Sequence, residues 1–209
     1  MSADAGGSAA VASEPRGFGG KGWFWWPWPP LVVADLWSKS AVFAAMQARA
    51  EAGGFAHLPE GQRPGDLVFA TDALRFELVT WGNTGTIWGL GQSATVPLIV
   101  LRCAAVVGLF WFVRNTPRAQ RLHLLVLGLI LAGAIGNLYD NFTRDDRSVR
   151  DFLHFSATWP FAWDFPAFNV ADSCITVGAI GLFLLLWRDE AATARRAKMP
   201  AGDDRAAGA

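Results

Sequence analysis

Cysteine is scarce in this chain, and its two cysteines, Cys103 and Cys174, both lie inside apolar runs. There is no Cys-x-x-Cys string and no His/Cys cluster at metal-ligand spacing, so nothing points to a redox motif or a zinc site, and a structural disulfide is not expected. Both thiols read as membrane-buried and inert. An excess of charge is missing too, since 18 Lys and Arg balance 18 Asp and Glu. Without a basic stripe or a nucleic-acid-binding motif, DNA and RNA are excluded as a partner class. Residues 1 to about 20 hold mostly Ala, Gly and Ser with few charges. They lack the apolar core and small-residue cleavage site of a secretory signal.

What the chain has is apolar residues in blocks. It is 52% apolar with 11 Trp over 209 residues, long enough for one domain. The apolar residues gather into stretches near the ~20 residues needed to cross hydrocarbon. Four spans are expected, at about Leu31–Gln47, Thr95–Val113, Leu122–Tyr139 and Asn169–Trp187. Arg102 lies inside the second span, and His123 is expected at the interfacial start of the third. The cluster Trp23-Phe24-Trp25-Trp26-Pro27-Trp28-Pro29-Pro30 reads as a headgroup-level anchor, with prolines where a helix begins. The small residues of Leu131-Ala132-Gly133-Ala134-Ile135-Gly136-Asn137 let neighbouring helices approach closely, and Asn137 there must find a partner inside the bundle.

Between the first two spans, Leu67 to Trp81 alternates loosely and is bounded by Gly65 and Gly82, which predicts short strands broken at Thr71-Asp72. The fold class is therefore a mainly α integral membrane protein, with four transmembrane helices and a small extracytoplasmic β-sheet or loop region between helices 1 and 2. The predicted boundaries are a disordered cytoplasmic tail over 1–22, a four-helix membrane domain over 23–188 and a disordered cytoplasmic tail over 189–209. Lys and Arg set the orientation. Arg16, Lys21, Arg114, Arg118, Arg121, Arg188, Arg195, Arg196, Lys198 and Arg205 fall on one side. Arg49, Arg63, Arg75, Arg144, Arg147 and Arg150 are spread over much longer loops on the other. Both termini are expected in the cytoplasm.

Two acids stand out at the rims of apolar segments. Asp151 lies in Val149-Arg150-Asp151-Phe152, and Asp172 lies in Phe168-Asn169-Val170-Ala171-Asp172-Ser173. A carboxylate at the edge of hydrocarbon is expensive and marks a candidate site. Two suggest a shared proton and an activated water, as in aspartic proteases. Plainer roles are open for each. Asp151 could be a loop residue paired with Arg147 or Arg150, and either Asp172 or Asn169 could cap a helix. Asp35 and Lys39, four apart, fall on one helical face, where pairing offsets their burial.

Five strings occur in order: Asp35-Leu36-Trp37-Ser38-Lys39; Asn83-Thr84-Gly85-Thr86-Ile87-Trp88; Gly133-Ala134-Ile135-Gly136-Asn137-Leu138-Tyr139-Asp140; Val149-Arg150-Asp151-Phe152; and Phe165-Pro166-Ala167-Phe168-Asn169-Val170-Ala171-Asp172-Ser173. Together, over about residues 31 to 187, they resemble the bacterial lipoprotein signal peptidase family, also called signal peptidase II. The resemblance implies a four-helix aspartic endopeptidase of the bacterial inner membrane. Such an enzyme removes signal peptides from diacylglyceryl-modified prolipoproteins, cutting just before the lipidated cysteine. It implies Asp151 and Asp172 as the catalytic pair. Asn137, Asp140, Asn169, Asn83, Gly85, Asp35 and Lys39 are implied as substrate-binding or supporting positions. Asp140 supports the pair, serves as a plain helix-end residue, or replaces Asp151 in it; Asn83 and Gly85 read otherwise as a turn. The active site then faces outward, and the protein acts as a monomer among membrane lipids, with no metal or cofactor.

The chain departs from the family pattern in three places. Asn141 follows Asp140 where the family usually has Arg, and Arg144 is the candidate substitute in space. Arg150 stands where a hydrophobic residue usually precedes the catalytic Asp. The second string ends Thr-Ile-Trp. Two other readings are a family member that binds lipopeptides without cutting them and a small proton-relay or transport protein.

Overall fold

The computed structural model describes residues 17–55, 65–84, 95–159 and 161–198. A one-turn helix α1 (Gly22–Trp25) leads into the long α2 (Trp28–Glu51). Pro29 and Pro30 are tolerated there because the first turn of a helix has amides with no intrahelical partner. At its other end α2 stops where Gly53 takes φ +75°, a left-handed conformation open to glycine. Next come strands β1 (Gly65–Ala70) and β2 (Leu74–Asn83), then helices α3 (Thr95–Asn115) and α4 (Arg121–Thr143). Strands β3 (Val149–Ala157) and β4 (Trp163–Asp164) precede the last helix, α5 (Val170–Lys198).

Helices α3, α4 and α5 are each long and apolar enough to cross a membrane. Within their apolar windows α4 is 56% buried against 17% for the other two, so α4 is the central helix. Small residues make this possible. A Cβ on Gly133 would lie 2.2 Å from the Ala171 carbonyl oxygen of α5, and one on Gly136 would lie 2.5 Å from the Asp35 carboxylate of α2. Gly128 gives the same close approach to the Phe24 carbonyl of α1. Phe24 is fully buried with Leu109, Val113, Leu124, Leu127 and Leu131. The aromatic cluster thus contributes to the core, while Trp26 stays exposed.

The sheet is antiparallel in the order β1-β2-β3-β4. The strands expected between the first two spans are present, and the break at Thr71-Asp72 is the turn between them. The sheet extends beyond that region, however, because β3 and β4 come from the α4–α5 connection. The Val149–Ala157 stretch alternates buried and half-buried positions only in part, so its strand character is carried by pairing with β2. One irregularity matters for the site. Leu78 pairs with Leu153, but Trp81 pairs with Asp151, so β2 has one extra residue there. Such a bulge exchanges the faces of every residue beyond it. Without it Thr80 would oppose Asp151; with it, Asn83 lies on the same face as Asp151.

Two sequence expectations, both on the tails, need correction. Lys21 is buried and donates to the Val113 and Arg114 carbonyls, so the predicted tail 1–22 is ordered at least from Gly17. That lysine caps the carbonyl end of α3. Helix α5 continues through 189–198, inside the other predicted tail. His123, near the start of α4, is buried, with its Nε2 3.2 Å from Asp189 on α5.

Candidate active site

The site is built where the end of α4, the start of α5, the middle of α2 and strands β2 and β3 meet. It begins with a capping arrangement on α5. Asn169 Oδ1 accepts from the Asp172 amide at 2.8 Å, and Asp172 Oδ2 accepts from the Asn169 amide at 3.2 Å. This is a reciprocal capping box, so capping and a second role coexist on the same residues. The third amide, Ala171 N–H, donates to Asp35 Oδ1 at 2.8 Å. Two carboxylates therefore sit at the positive end of the α5 dipole.

Asn169 also reaches the other acid, donating from Nδ2 to Asp151 Oδ1 at 2.7 Å. Asn83 donates to the second oxygen of Asp151 at 3.0 Å. Asn137 donates to Asp172 Oδ1 at 2.8 Å. Both oxygens of each acid are thus held by amide donors, and one side chain touches both acids. Burial, then the charge of Asp172, pushes the Asp151 carboxyl up to about 7, against the lowering effect of Asn83, Asn169 and Lys39. Asp151 is 2% exposed, whereas Asp172 is half-buried.

A buried charge network supports this pair. Lys39, fully buried, lies 2.7 Å from Asp35 and 3.2 Å from Asp140. It also donates to Asn137 Oδ1 at 3.2 Å, which orients the amide that holds Asp172. The polar partners that Asn137 requires inside the bundle are therefore Lys39, Asp172 and Asn169, the last donating to Oδ1 at 3.3 Å. Asp140 takes Arg150 in a clamp, from Nε at 3.0 Å and Nη2 at 2.7 Å on one oxygen and from the Arg150 amide at 3.0 Å on the other. Both Asp140 oxygens are thus engaged, by Arg150 and by Lys39. Two acids, Asp35 and Asp140, are balanced by Lys39 and Arg150, as buried charges require. The unusual Arg150 fixes β3 to α4 immediately beside Asp151.

Of the residues expected at the site, Asp151, Asp172, Asn137, Asp140, Asn169, Asn83, Asp35 and Lys39 converge here. Gly85 lies outside the described residues. Arg144 does not reach the site; its guanidinium turns to Asp146 and Ser148. Arg102 of α3 does reach it, donating to Asn141 Oδ1 at 2.6 Å. Its signal in the sequence is its place, since an arginine within an apolar span needs a reason to be there. The two cysteines are free.

The family described as Signal peptidase (SPase) II matches residues 30–188 of this chain. A lipoprotein signal peptidase of Geobacillus thermodenitrificans is 38% identical over 154 residues, covering 74% of this chain and 82% of that protein. Another, of Anoxybacillus flavithermus, is 36% identical over 108 residues, covering 52% of this chain and 61% of its own length. A solved structure described as a bacterial membrane enzyme superposes with a TM-score of 0.57 at 22% identity, over 82% of this chain and 89% of that one, which shows a shared fold. With the motif residues gathered at one place and the family matched across most of its length, the chain belongs to the signal peptidase II family.

Proposed function

We propose that this protein is a membrane aspartic endopeptidase that removes signal peptides from diacylglyceryl-modified prolipoproteins, cutting before the lipidated cysteine, with Asp151 and Asp172 as its catalytic pair. The observation that carries this is Asn169, which binds Asp151 through its side chain and Asp172 through its backbone and side chain. Adjacent carboxylates do not both ionise easily, so one keeps a proton at neutral pH and the pair titrates as a unit. The ionised member takes a proton from water while the protonated member donates to the scissile carbonyl oxygen. The roles reverse as the amine leaves. The amides of Asn83, Asn137 and Asn169 hold the carboxylate oxygens in fixed orientations, so little reorganisation accompanies the reaction.

The membrane arrangement follows from the same residues. α2 is the fourth span: its 24 residues extend about 36 Å at 1.5 Å each. Its charged Asp35 and Lys39 are buried against α4 and α5, away from lipid. The membrane peptidase domain covers 23–188, with α5 extending past it. Both termini are cytoplasmic, as the Lys and Arg distribution favours. The sheet and the acid pair then lie at the outer face of the inner membrane. A diacylglyceryl anchor, at about 0.8 kcal/mol per buried methylene, keeps the substrate in the bilayer and brings the scissile bond to that depth. The enzyme acts as a monomer. The acids converge at one place rather than forming a series across the bilayer, which favours hydrolysis over a proton relay.

The test is to give the purified full-length chain, in a lipid bilayer mimetic, a diacylglyceryl-modified prolipoprotein and the same precursor without lipid. Release of signal peptide from the first and not the second is expected. No release from the lipidated precursor would overturn the proposal.

A further inference from the structure

We propose that Arg102 is a substrate-binding residue that grips the main chain of the substrate beside the acid pair, with Asn141 positioning it. The inference rests on the proposed hydrolysis at Asp151 and Asp172 and adds a group that binds the peptide.

Arg102 lies well inside the apolar helix α3, where a charged side chain is costly and needs a use. Its guanidinium makes one hydrogen bond among the described residues, from Nη1 to Asn141 Oδ1. A guanidinium carries five N–H donors, so most of this one remains available. The acids whose charge bears on it are Asp172 and Asp151, and it is hydrogen-bonded to neither. It is therefore a cation near the pair that takes up no oxygen of either carboxylate. Asp140 cannot claim it, because Arg150 and Lys39 already occupy that carboxylate.

Asn141 is a fixed support. It is 2% exposed, and its own Nδ2 donates to the Arg147 carbonyl at 2.7 Å. Arg147 takes φ 52°, an uncommon conformation outside glycine, at the turn that leads from α4 into β3. The amide of Asn141 is thus oriented by the same turn that delivers Asp151, and its oxygen is left for Arg102. A planar fork held in this way suits a peptide carbonyl oxygen. Arginine stays protonated throughout, so it binds and orients but transfers no proton.

The experiment uses the full chain in a bilayer mimetic. Hydrolysis of the lipidated precursor is measured for Arg102→Gln, Arg102→Lys and Asn141→Ala. Binding of an uncleaved lipidated precursor is measured with each change placed on an Asp151→Asn background. Arg102→Gln is expected to raise KM and weaken binding about tenfold or more, with a smaller change in kcat. Loss of the nearby positive charge also moves the acid limb of the kcat/KM profile up by about one pH unit. Arg102→Lys keeps the acid limb in place but not the affinity, because ammonium lacks the fork. Asn141→Ala likewise weakens binding without moving the limb. Unchanged KM and binding in Arg102→Gln would overturn the inference, as would a loss of activity that follows only a fall in melting temperature. A parent chain that does not cut rejects the hydrolytic reading, while the binding arm still decides the role of Arg102.

Discussion

Asn169 donates from its side chain to Asp151 at 2.7 Å while its own amide donates to the carboxylate of Asp172, so a single residue sets the position of both acids. Asn169→Ala removes that link and the cap of α5 together. A fall in kcat of about 100-fold is expected, the scale of a misplaced reacting group, with about 1 kcal/mol lost from stability. Asn169→Ser restores the cap, since serine caps well, but not the reach to Asp151. Thermal unfolding and cleavage rates for the two variants separate the effects: stability recovers and activity does not.

The raised Asp151 carboxyl predicts the basic side of the pH profile. With a value of about 7, the pair keeps its shared proton below that pH and loses it above, so activity falls as pH rises through about 7. Asn83→Ala removes a donor that favours the ionised form. The carboxyl then holds its proton to higher pH, and the basic limb moves upward. A pH–rate profile of kcat for the two proteins checks both signs. The linkage to stability has the opposite sense from a paired surface acid. The folded state binds this proton more tightly than the unfolded chain does. Asp151 therefore costs nothing at low pH, and its cost grows as pH rises from the unfolded value near 4 to about 7.

Lys39 is the cation shared by Asp35 and Asp140. Lys39→Met leaves two buried carboxylates short of a partner and is expected to cost about 3 to 5 kcal/mol. Adding Asp35→Asn to it removes one uncompensated charge and recovers part of that loss. Melting temperatures in detergent, compared as a double-mutant cycle, measure the coupling.

Gly133 faces the backbone of α5 at a distance no Cβ tolerates. Gly133→Ala pushes the start of α5 from α4 and is expected to cost about 1 to 3 kcal/mol. Because Asn137 lies one turn beyond Gly133 and Asp172 directly follows Ala171, activity falls more than stability alone explains. Gly108→Ala, with open space around it, changes neither. Cleavage and unfolding of the two variants provide the comparison.

Much of the site was legible because its residues fall in short ordered strings. Asp35 and Lys39 share a helix face by spacing alone, and Asn169 and Asp172 sit three apart, as a cap requires. The β1–β2 strands were legible from alternation and their glycine bounds. What could not be read depends on contacts across the fold. The Asp151 segment became a strand because β2 pairs with it, and the bulge in β2 that turns Asn83 toward Asp151 leaves no mark in the sequence. Arg150 departs from the family pattern beside the expected catalytic Asp151; its partner Asp140, on another element, explains it. Arg144 looked closer to the site than Arg102 because it is nearer in the chain, yet α3 supplies the guanidinium. The buried Lys21 and the helical 189–198 segment were read as tails from composition, which carries no information about the carbonyls and side chains that receive them.

The most direct measurement is the cleavage rate of the diacylglyceryl-modified precursor by Asp151→Asn and Asp172→Asn, with Asp140→Asn beside them and the folding of each followed by thermal unfolding. Each of the first two is expected to lose at least about 1,000-fold in kcat while remaining folded. Asp140→Asn is expected to lose stability first. Cleavage within tenfold of the parent in a folded Asp151→Asn or Asp172→Asn protein would contradict the shared-proton pair.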